Sequence, residues 1–271
     1  MLVRVQTWWT ILRICLEERL VYRGDFALGT LMRFLPIVTQ IFLWTAVYSA
    51  VKSGEIKGYS VEDIIAYYLL TMLARAFSSM PGLASGIGRQ VRDGEIKKFL
   101  IQPIDLIGFL LLARIAHKLV YYAVAAAPFA LVYYVCRDYF PGWPEPKVFA
   151  AFLLSLVLAF MVGFFLECSM GMLSFWFLEV SSLLFVYMLF TFFFSGHMFP
   201  LDFLPEPWRT IVDFMPFQYL AFFPTAVFLG KVQGPEIVHG LVIQSGWAVF
   251  FMITSRWLMH RGFHRYSGFG G

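Results

Sequence analysis

The sequence predicts an all-α, polytopic membrane protein with about six transmembrane helices. Of its 271 residues, 60% are hydrophobic and 14% are charged, and the mean hydropathy is +0.73. A soluble domain is typically about half apolar and a quarter charged, so lipid must solvate much of this chain. Several apolar stretches also reach the ~20 residues that a helix needs to cross the hydrocarbon core. A soluble globular protein is therefore excluded, and we expect no sizeable soluble domain within this length.

Residues 1–25 are predicted to form an amphipathic helix that lies at the inner membrane interface. Trp8, Trp9, Leu12 and Cys15 recur at helical spacing among charged residues. Tryptophan is enriched at headgroup depth, where its ring meets both lipid and water. The alternative is an ordinary cytoplasmic extension of the first transmembrane helix, which is itself expected to be uncleaved.

Six apolar stretches within a membrane domain at residues 26–258 are predicted to span the bilayer. They lie at residues 26–51, 61–80, 106–136, 148–166, 180–200 and 237–255. A further apolar run, from Phe214 to Gly230, is interrupted by Pro216 and Pro224. Because each proline removes a backbone donor that lipid cannot replace, this run is predicted to be an outer re-entrant hairpin of short helices.

The distribution of Lys and Arg in the loops predicts the orientation of these spans. With both termini in the cytoplasm, eleven basic residues face inside and six face outside. The inside set is Arg4, Arg13, Arg19, Arg23, Arg89, Arg92, Lys97, Lys98, Arg256, Arg261 and Arg265. We therefore expect a multi-pass protein of the plasma membrane with a cytoplasmic tail at residues 259–271.

The loop at residues 86–105 is the most informative part of the sequence. Its apolar positions Ile96, Phe99 and Leu100 follow helical spacing, with charges at other positions, and Pro103 is expected to end the helix. A helix this short is unstable alone in water, so it needs a surface on which to dock. That surface is either a partner protein or the lipid headgroups, and the pattern favours neither.

Two stretches carry a resemblance to a known family. In the run from Arg92 to Pro103, a glycine, an aliphatic residue two positions later, a leucine and a proline occupy the loop between the second and third spans. The stretch from Gly196 to Gly230 includes Pro200, Asp202, Pro205, Trp208, Pro216 and Pro224. In both, the chain resembles the ABC-2 type permeases, the membrane subunits of ATP-binding-cassette exporters, and the second stretch is similar to their outer re-entrant segment. The N-terminal helix and the six-span layout agree as well, so the resemblance covers almost the whole chain.

The resemblance implies that a separate ATPase subunit drives export through this permease. A coupling helix would dock in a cleft of the ATPase, with its charged residues facing the cleft and its apolar residues anchoring the helix. Its residues would be Gly94, Glu95, Ile96, Lys97, Lys98, Phe99, Leu100 and Pro103. Two permeases, identical or different, would pair around a path for an amphipathic or hydrophobic substrate. ATP and magnesium would bind to the partner ATPase, so no cofactor is expected in this chain.

Charged residues inside membrane spans are costly and often functional. Candidates for the lining of a path, or for ion pairs that differ between two states, are Arg75, Arg114, Glu167 and Glu179. The alternative for Arg114, Glu167 and Glu179 is snorkelling to the membrane interface. For Arg75, which lies well inside the second predicted span, the two interpretations are equally supported.

The sequence contains no motif for ATP binding or catalysis. It has neither a GxxxxGK(S/T) loop nor an HExxH motif, and its five His and three Cys are dispersed. Ser195 and His197 raise the alternative of an intramembrane protease, but residues two apart point to different sides of a helix, which makes this the weakest alternative. A secondary transporter or a membrane sensor is the stronger one, although a secondary transporter is expected to show internal repeats and acidic residues at mid-membrane. No nucleic-acid partner is expected.

Overall fold

The fold is built from α-helices packed side by side. A computed structural model of the chain describes residues 2–20, 23–50, 54–102, 104–140, 142–177 and 179–266. This part is 80% helix and contains no strand, which confirms the all-α prediction. The helices are α1 (Leu2–Leu20), α2 (Arg23–Ser49), α3 (Val61–Ser78), α4 (Leu83–Arg92), α5 (Lys97–Ile101), α6 (Leu106–Val135), α7 (Pro146–Met172), α8 (Ser181–Phe194), α9 (Trp208–Asp213), α10 (Phe222–Phe228) and α11 (Pro235–Arg265).

Some predictions fall on parts of the chain that the structure does not describe. Pro103 and residues 267–271 of the predicted tail lie outside the described residues. The side chains of Arg4, Arg19 and Arg23, which contribute to the predicted orientation, also lie outside the described part.

Three of the described helices are long and apolar enough to cross a membrane. They comprise Leu106–Val135, Pro146–Phe175 and Pro235–Arg265, and they coincide with the third, fourth and sixth predicted spans. Leu35–Ser49 and Ser181–Phe194 are shorter apolar helices. The last long helix continues to Arg265, so the residues predicted as a tail begin inside it.

The core is organised around α7, which packs against α3, α4, α10 and α11. Gly163 allows α3 to approach closely, because a Cβ at this position would lie 2.1 Å from the Ser78 carbonyl oxygen. Helix α3 is buried continuously from Ile64 to Thr71 and is enclosed by α2, α7 and α10. It is therefore an internal helix, and its 18 residues are shorter than the predicted second span.

Helix α8 ends at Phe194, six residues before the predicted end of the fifth span. Gly196 has a φ of 77°, a conformation that favours glycine. The preceding Ser195 carbonyl accepts a hydrogen bond from the Phe222 amide at 2.9 Å, which draws the chain toward α10. The helix has no buried residue, and most of its apolar side chains are exposed within this chain.

Helix α1 packs along α6 and close to its start. Cys15 is buried, Trp8 and Leu12 are half-buried, and the Trp8 ring lies against Gly108. Trp9 points away from the protein and is 67% exposed. The positions 8, 12 and 15 thus form the inward stripe, whereas Trp9 is turned toward the surroundings, since adjacent helical residues are about 100° apart.

Candidate functional site

The segment between α4 and α6 begins with a tight turn at residues 93–96, which the five-residue helix α5 follows. After α4 ends at Arg92, Gly94 takes a φ of 76°, which reverses the chain at low steric cost. The Ile96 amide then donates to the Gln90 carbonyl at 3.1 Å, across the turn. This hydrogen bond fixes α5 against the end of α4.

Ile96 and Phe99 attach this segment to the core of the protein. Ile96 is fully buried, and Phe99 is 8% exposed with its ring centroid 5.5 Å from that of Phe109. Leu100 was expected to join them, but it is 46% exposed, and Ile101 is 82% exposed. The apolar positions therefore divide into an inward pair and an outward pair.

The outward surface of the segment combines charge with apolar side chains. We call it the α5 face, and it consists of Glu95, Lys97, Lys98, Leu100 and Ile101, all of which are exposed. Exposed apolar residues of this size beside charged ones are typical of protein or membrane contact sites.

The exit of the segment is tied to the last long helix. The Asp105 carboxylate accepts a hydrogen bond from the Gly108 amide at 2.7 Å and so caps the first turn of α6. The same carboxylate pairs with the Arg256 guanidinium of α11. The segment that carries the α5 face is thus joined to α4 through Ile96 and to α6 through Phe99, and the start of α6 is in turn joined to α11.

Arg114 and Lys118 of α6 hold the C-terminal end of α3. The final carbonyls of a helix lack partners within it, and the Lys118 ammonium donates to the carbonyls of Ala76 and Ser79, the latter at 2.7 Å. The Arg114 guanidinium donates to the Pro81 carbonyl at 3.0 Å in the link to α4. The structure therefore places these two cations at the foot of α3.

Glu167 and Arg75 lie on α7 and α3, respectively. The Glu167 carboxylate faces the Ala84 amide at 3.5 Å and lies within electrostatic range of Arg114. Arg75 of α3 lies within electrostatic range of His197, which follows α8. Both residues are half-buried.

Glu179 lies in the exposed link between α7 and α8. It accepts a hydrogen bond from the Ser181 amide at 2.9 Å and is 3.6 Å from the Arg92 guanidinium. Hydrogen bonding by Ser181 lowers the pKa of this carboxyl below its usual range, with a smaller contribution from Arg92. Glu179 is thus a charged surface group beside the end of α4.

On the opposite end of the molecule, Asp202 is the centre of a polar cluster. Its carboxylate accepts a hydrogen bond from the Tyr59 hydroxyl at 2.6 Å and lies 3.3 Å from the Arg209 guanidinium. Burial, together with the Asp202 carboxylate, raises the pKa of Tyr59, so the hydroxyl remains a donor. The Lys57 ammonium donates to the Asp202 and Leu204 carbonyls at 2.8 and 3.1 Å. The cluster fastens the segment after α8 to the loop before α3.

The other residues of this segment differ in their surroundings. Pro200 and Pro224 are buried, Pro216 is half-buried at the start of a 3₁₀ turn, and Pro205 is exposed. Trp208 is 55% exposed at the start of α9. The structure thus joins Asp202 to a polar network and gives the prolines packing or turn positions.

Sequence reasoning missed one buried polar group that positions the same segment. Gln244 of α11 is fully buried; its amide donates to the carbonyls of Ser155 and Tyr219, each at 3.0 Å, and its oxygen accepts from the Ser155 hydroxyl at 3.0 Å. A lone glutamine inside an apolar helix was the available signal, since buried amides in membranes need partners. Its partners were not predictable, because Ser155 is 89 residues away.

No group of three or more His, Cys, Asp or Glu residues within the described ranges could hold a metal ion. The three cysteines are buried and free.

Among known proteins, the family model described as ABC-2 family transporter protein matches residues 34–270. No curated protein matches the chain.

Proposed function

Since this chain belongs to the ABC-2 family of transporter proteins, we propose that it is the permease subunit of an ABC exporter driven by a separate ATPase. Membership of the family implies a membrane component that associates with an ABC ATPase and a partner permease. ATP and magnesium then bind to the ATPase subunit. Plasma-membrane location, six spans and cytoplasmic termini are part of this proposal.

The α5 face is the observation that carries the proposal. Ile101 is 82% exposed beside Lys97 and Lys98, on a helix too short to be stable without its supports. These supports are the buried pair Ile96 and Phe99 behind the face. A rigidly mounted face of this kind can transmit a displacement from a docked partner to the helices on which it stands.

Helix α8 is the proposed surface for a second permease. Apolar side chains cover it, including Phe185 at 58% and Met188 at 54% exposure. Such a surface can face lipid along its whole length, but a partner permease that packs there would enclose a path beside Arg75 and His197. The substrate of that path is proposed to be amphipathic or hydrophobic, and the partner to be either an identical or a different chain.

The segment from residue 200 to 231 is proposed to be re-entrant from the outer side. It begins near Tyr59 and ends where Lys231 pairs with Asp63 at 2.7 Å, and both points lie at the start of α3. Between them, the Tyr219 carbonyl accepts a hydrogen bond from the Gln244 amide. Gln244 lies nine residues after the first residue of α11, which is about 14 Å along the helix. A segment that enters and leaves at one end and reaches this depth would form a hairpin rather than a span.

Co-purification of an ATPase subunit tests the proposal. An affinity tag on this chain should retain an ATPase that carries a phosphate loop, and charge reversal at Lys97 and Lys98 should weaken retention and abolish ATP-dependent transport. Reversal at Arg137 and Lys147, which lie near the opposite end of α6 and α7, is the matched control and should have little effect. Retention of no ATPase, or transport that proceeds in vesicles without ATP, would contradict the proposal and favour a secondary transporter.

A further inference from the structure

An open cleft of about 420 Å³ lies between α4 and the start of α8. Its lining includes Ser85, Gly86, Arg89 and Arg92 of α4, with Ser181 and Leu184 of α8. The site is separate from the α5 face, because it opens beside α4, one helix earlier in the chain. It thus combines two guanidinium groups, two hydroxyl groups and a small-residue floor.

The floor of the cleft is empty space rather than tight packing. A Cβ added to Gly86 would meet no atom within 4 Å. Ser85 is exposed at the neighbouring position, and Arg89 lies one turn after both on the same side of α4. Small side chains at these positions leave room for a group of several heavy atoms next to the arginines.

The charge of the cleft favours an anion. Arg89 is exposed and makes no ion pair with any described residue. Arg92 is half-exposed and is 3.6 Å from Glu179 and 3.7 Å from Asp93. Glu179 is already engaged with the Ser181 amide, so the start of α8 is capped by the protein itself and contributes nothing to a ligand. Of the charged residues that line the cleft, two are cations and one is an anion.

Exposed apolar side chains of α8 adjoin this polar cleft. Leu184 lines the cleft, and Met188, one turn further along α8, is 54% exposed. Phe185 on the adjacent side is 58% exposed. A ligand that fills both parts must carry a phosphate-like head and a hydrocarbon tail.

We propose that this cleft binds the phosphodiester of an anionic phospholipid from the inner leaflet, with an acyl chain against α8. The guanidinium groups of Arg89 and Arg92 would donate paired hydrogen bonds to the phosphate oxygens, which is the geometry that arginine favours. The exposed hydroxyl of Ser85 supplies a further donor. The inner location rests on the orientation proposed above.

Native mass spectrometry of the full chain in detergent tests this binding directly. Phosphatidylglycerol should give a discrete adduct, and Arg89→Gln and Arg92→Gln should each lower its affinity about tenfold. Arg261→Gln, an exposed arginine near the end of α11 that does not line the cleft, is the control and should change affinity less than twofold. Glu179→Gln should raise affinity, because it removes the only anion in the lining.

A second variant blocks the cleft without changing its charge. Gly86→Leu should abolish the adduct while leaving thermal stability equal or higher, since the site is open and leucine favours a helix over glycine. Gly246→Leu on α11 also meets no atom within 4 Å and is the steric control. If Gly86→Leu loses the adduct while Gly246→Leu keeps it, and both variants remain folded, the loss is due to the blocked cleft and not to unfolding.

Two further ligands, tested in the same assay, identify which part of the lipid is bound. The outcome does not depend on the transport proposal. Phosphatidylethanolamine and water-soluble glycerophosphoglycerol should bind at least tenfold more weakly than phosphatidylglycerol. Equal binding of the soluble headgroup would overturn the lipid assignment, and an adduct that survives Gly86→Leu would overturn the site. Because the assay needs no ATPase, these results leave the co-purification test independent.

Discussion

Shortening Ile101 to alanine tests whether the α5 face is the ATPase contact. The side chain is 82% exposed, so truncation should cost the permease itself little stability. Full burial of an isoleucine is worth about 1.5–3 kcal/mol, and alanine retains part of this area, so docking should weaken by about 1–2 kcal/mol. That corresponds to a roughly five- to thirty-fold rise in Kd for the ATPase.

Leu100 supplies a graded comparison on the same helix. It is 46% exposed, so Leu100→Ala removes less area that a partner could cover, and the expected rise in Kd is about two- to five-fold. Ile96→Ala should behave differently, because this side chain is fully buried. It should lower the melting temperature of the permease, since truncation of a buried isoleucine typically costs about 2–5 kcal/mol.

The assay is titration of the purified ATPase subunit onto the permease in lipid nanodiscs, with Kd read from biolayer interferometry. Ile253→Ala is the matched control, because this isoleucine of α11 is 61% exposed but lies far along the chain from α5. If Ile101→Ala keeps a Kd within twofold of both the wild type and the control, the reasoning fails. The exposed pair Leu100 and Ile101 would then be assigned to contact with lipid.

Three further variants test the parts of the molecule around the proposed path. Gln244→Leu removes three hydrogen bonds and leaves the Tyr219 carbonyl unpaired, a loss of about 2–4 kcal/mol that should lower the melting temperature in detergent by roughly 5–10 °C. Arg75→Ala should lower transport in vesicles without lowering the amount of protein in the membrane, because a charge inside the bundle is costly unless it is used. Asp202→Asn should weaken the ion pair to Arg209 and increase protease cleavage of the segment after α8, because the neutral amide no longer balances the cation.

Two of these variants have a control substitution, and the third has a stated refuting outcome. Ser245→Ala removes only a hydrogen bond within α11, and a melting temperature equal to that of Gln244→Leu would contradict the role of the glutamine. Asp138→Asn changes an exposed carboxylate just after the C-terminal end of α6 and should leave cleavage unchanged. Wild-type transport by Arg75→Ala would remove that residue from the mechanism.

The long apolar helices were predictable because their signal is local. The third, fourth and sixth predicted spans each contain a stretch of apolar residues long enough to span lipid, and each corresponds to a long helix within a few residues at its start. Helix α8 was predicted to reach Pro200, whereas it ends at Phe194. The Ser195–Phe222 hydrogen bond that accompanies this ending joins residues far apart in the chain, and no periodicity encodes it.

Helical periodicity did not predict which apolar residues of the α5 segment are exposed. The pattern placed Ile96, Phe99 and Leu100 on one stripe of a single helix. Ile96 instead belongs to the turn before α5, so the three residues do not share one regular helix. Ile101 is about 140° from Ile96 on such a wheel and is not one of the three positions of that stripe. Its exposure follows from the docking of Phe99 on Phe109, a tertiary contact.

Helix α3 connects the two ends of the molecule on which the proposed mechanism depends. In its N-terminal half, the hydroxyls of Tyr67 and Tyr68 donate to the carbonyls of Gly196 and Met198 in the turn after α8. At its C-terminal end, Lys118 donates to the carbonyls of Ala76 and Ser79, and the short link from Ser79 to Gly82 leads directly into α4. Helix α3 is buried along most of its length, so its close-packed neighbours resist its bending. We expect a pull on α5 to pass through α4 and α3 as a rigid shift and so to reach the segment after α8.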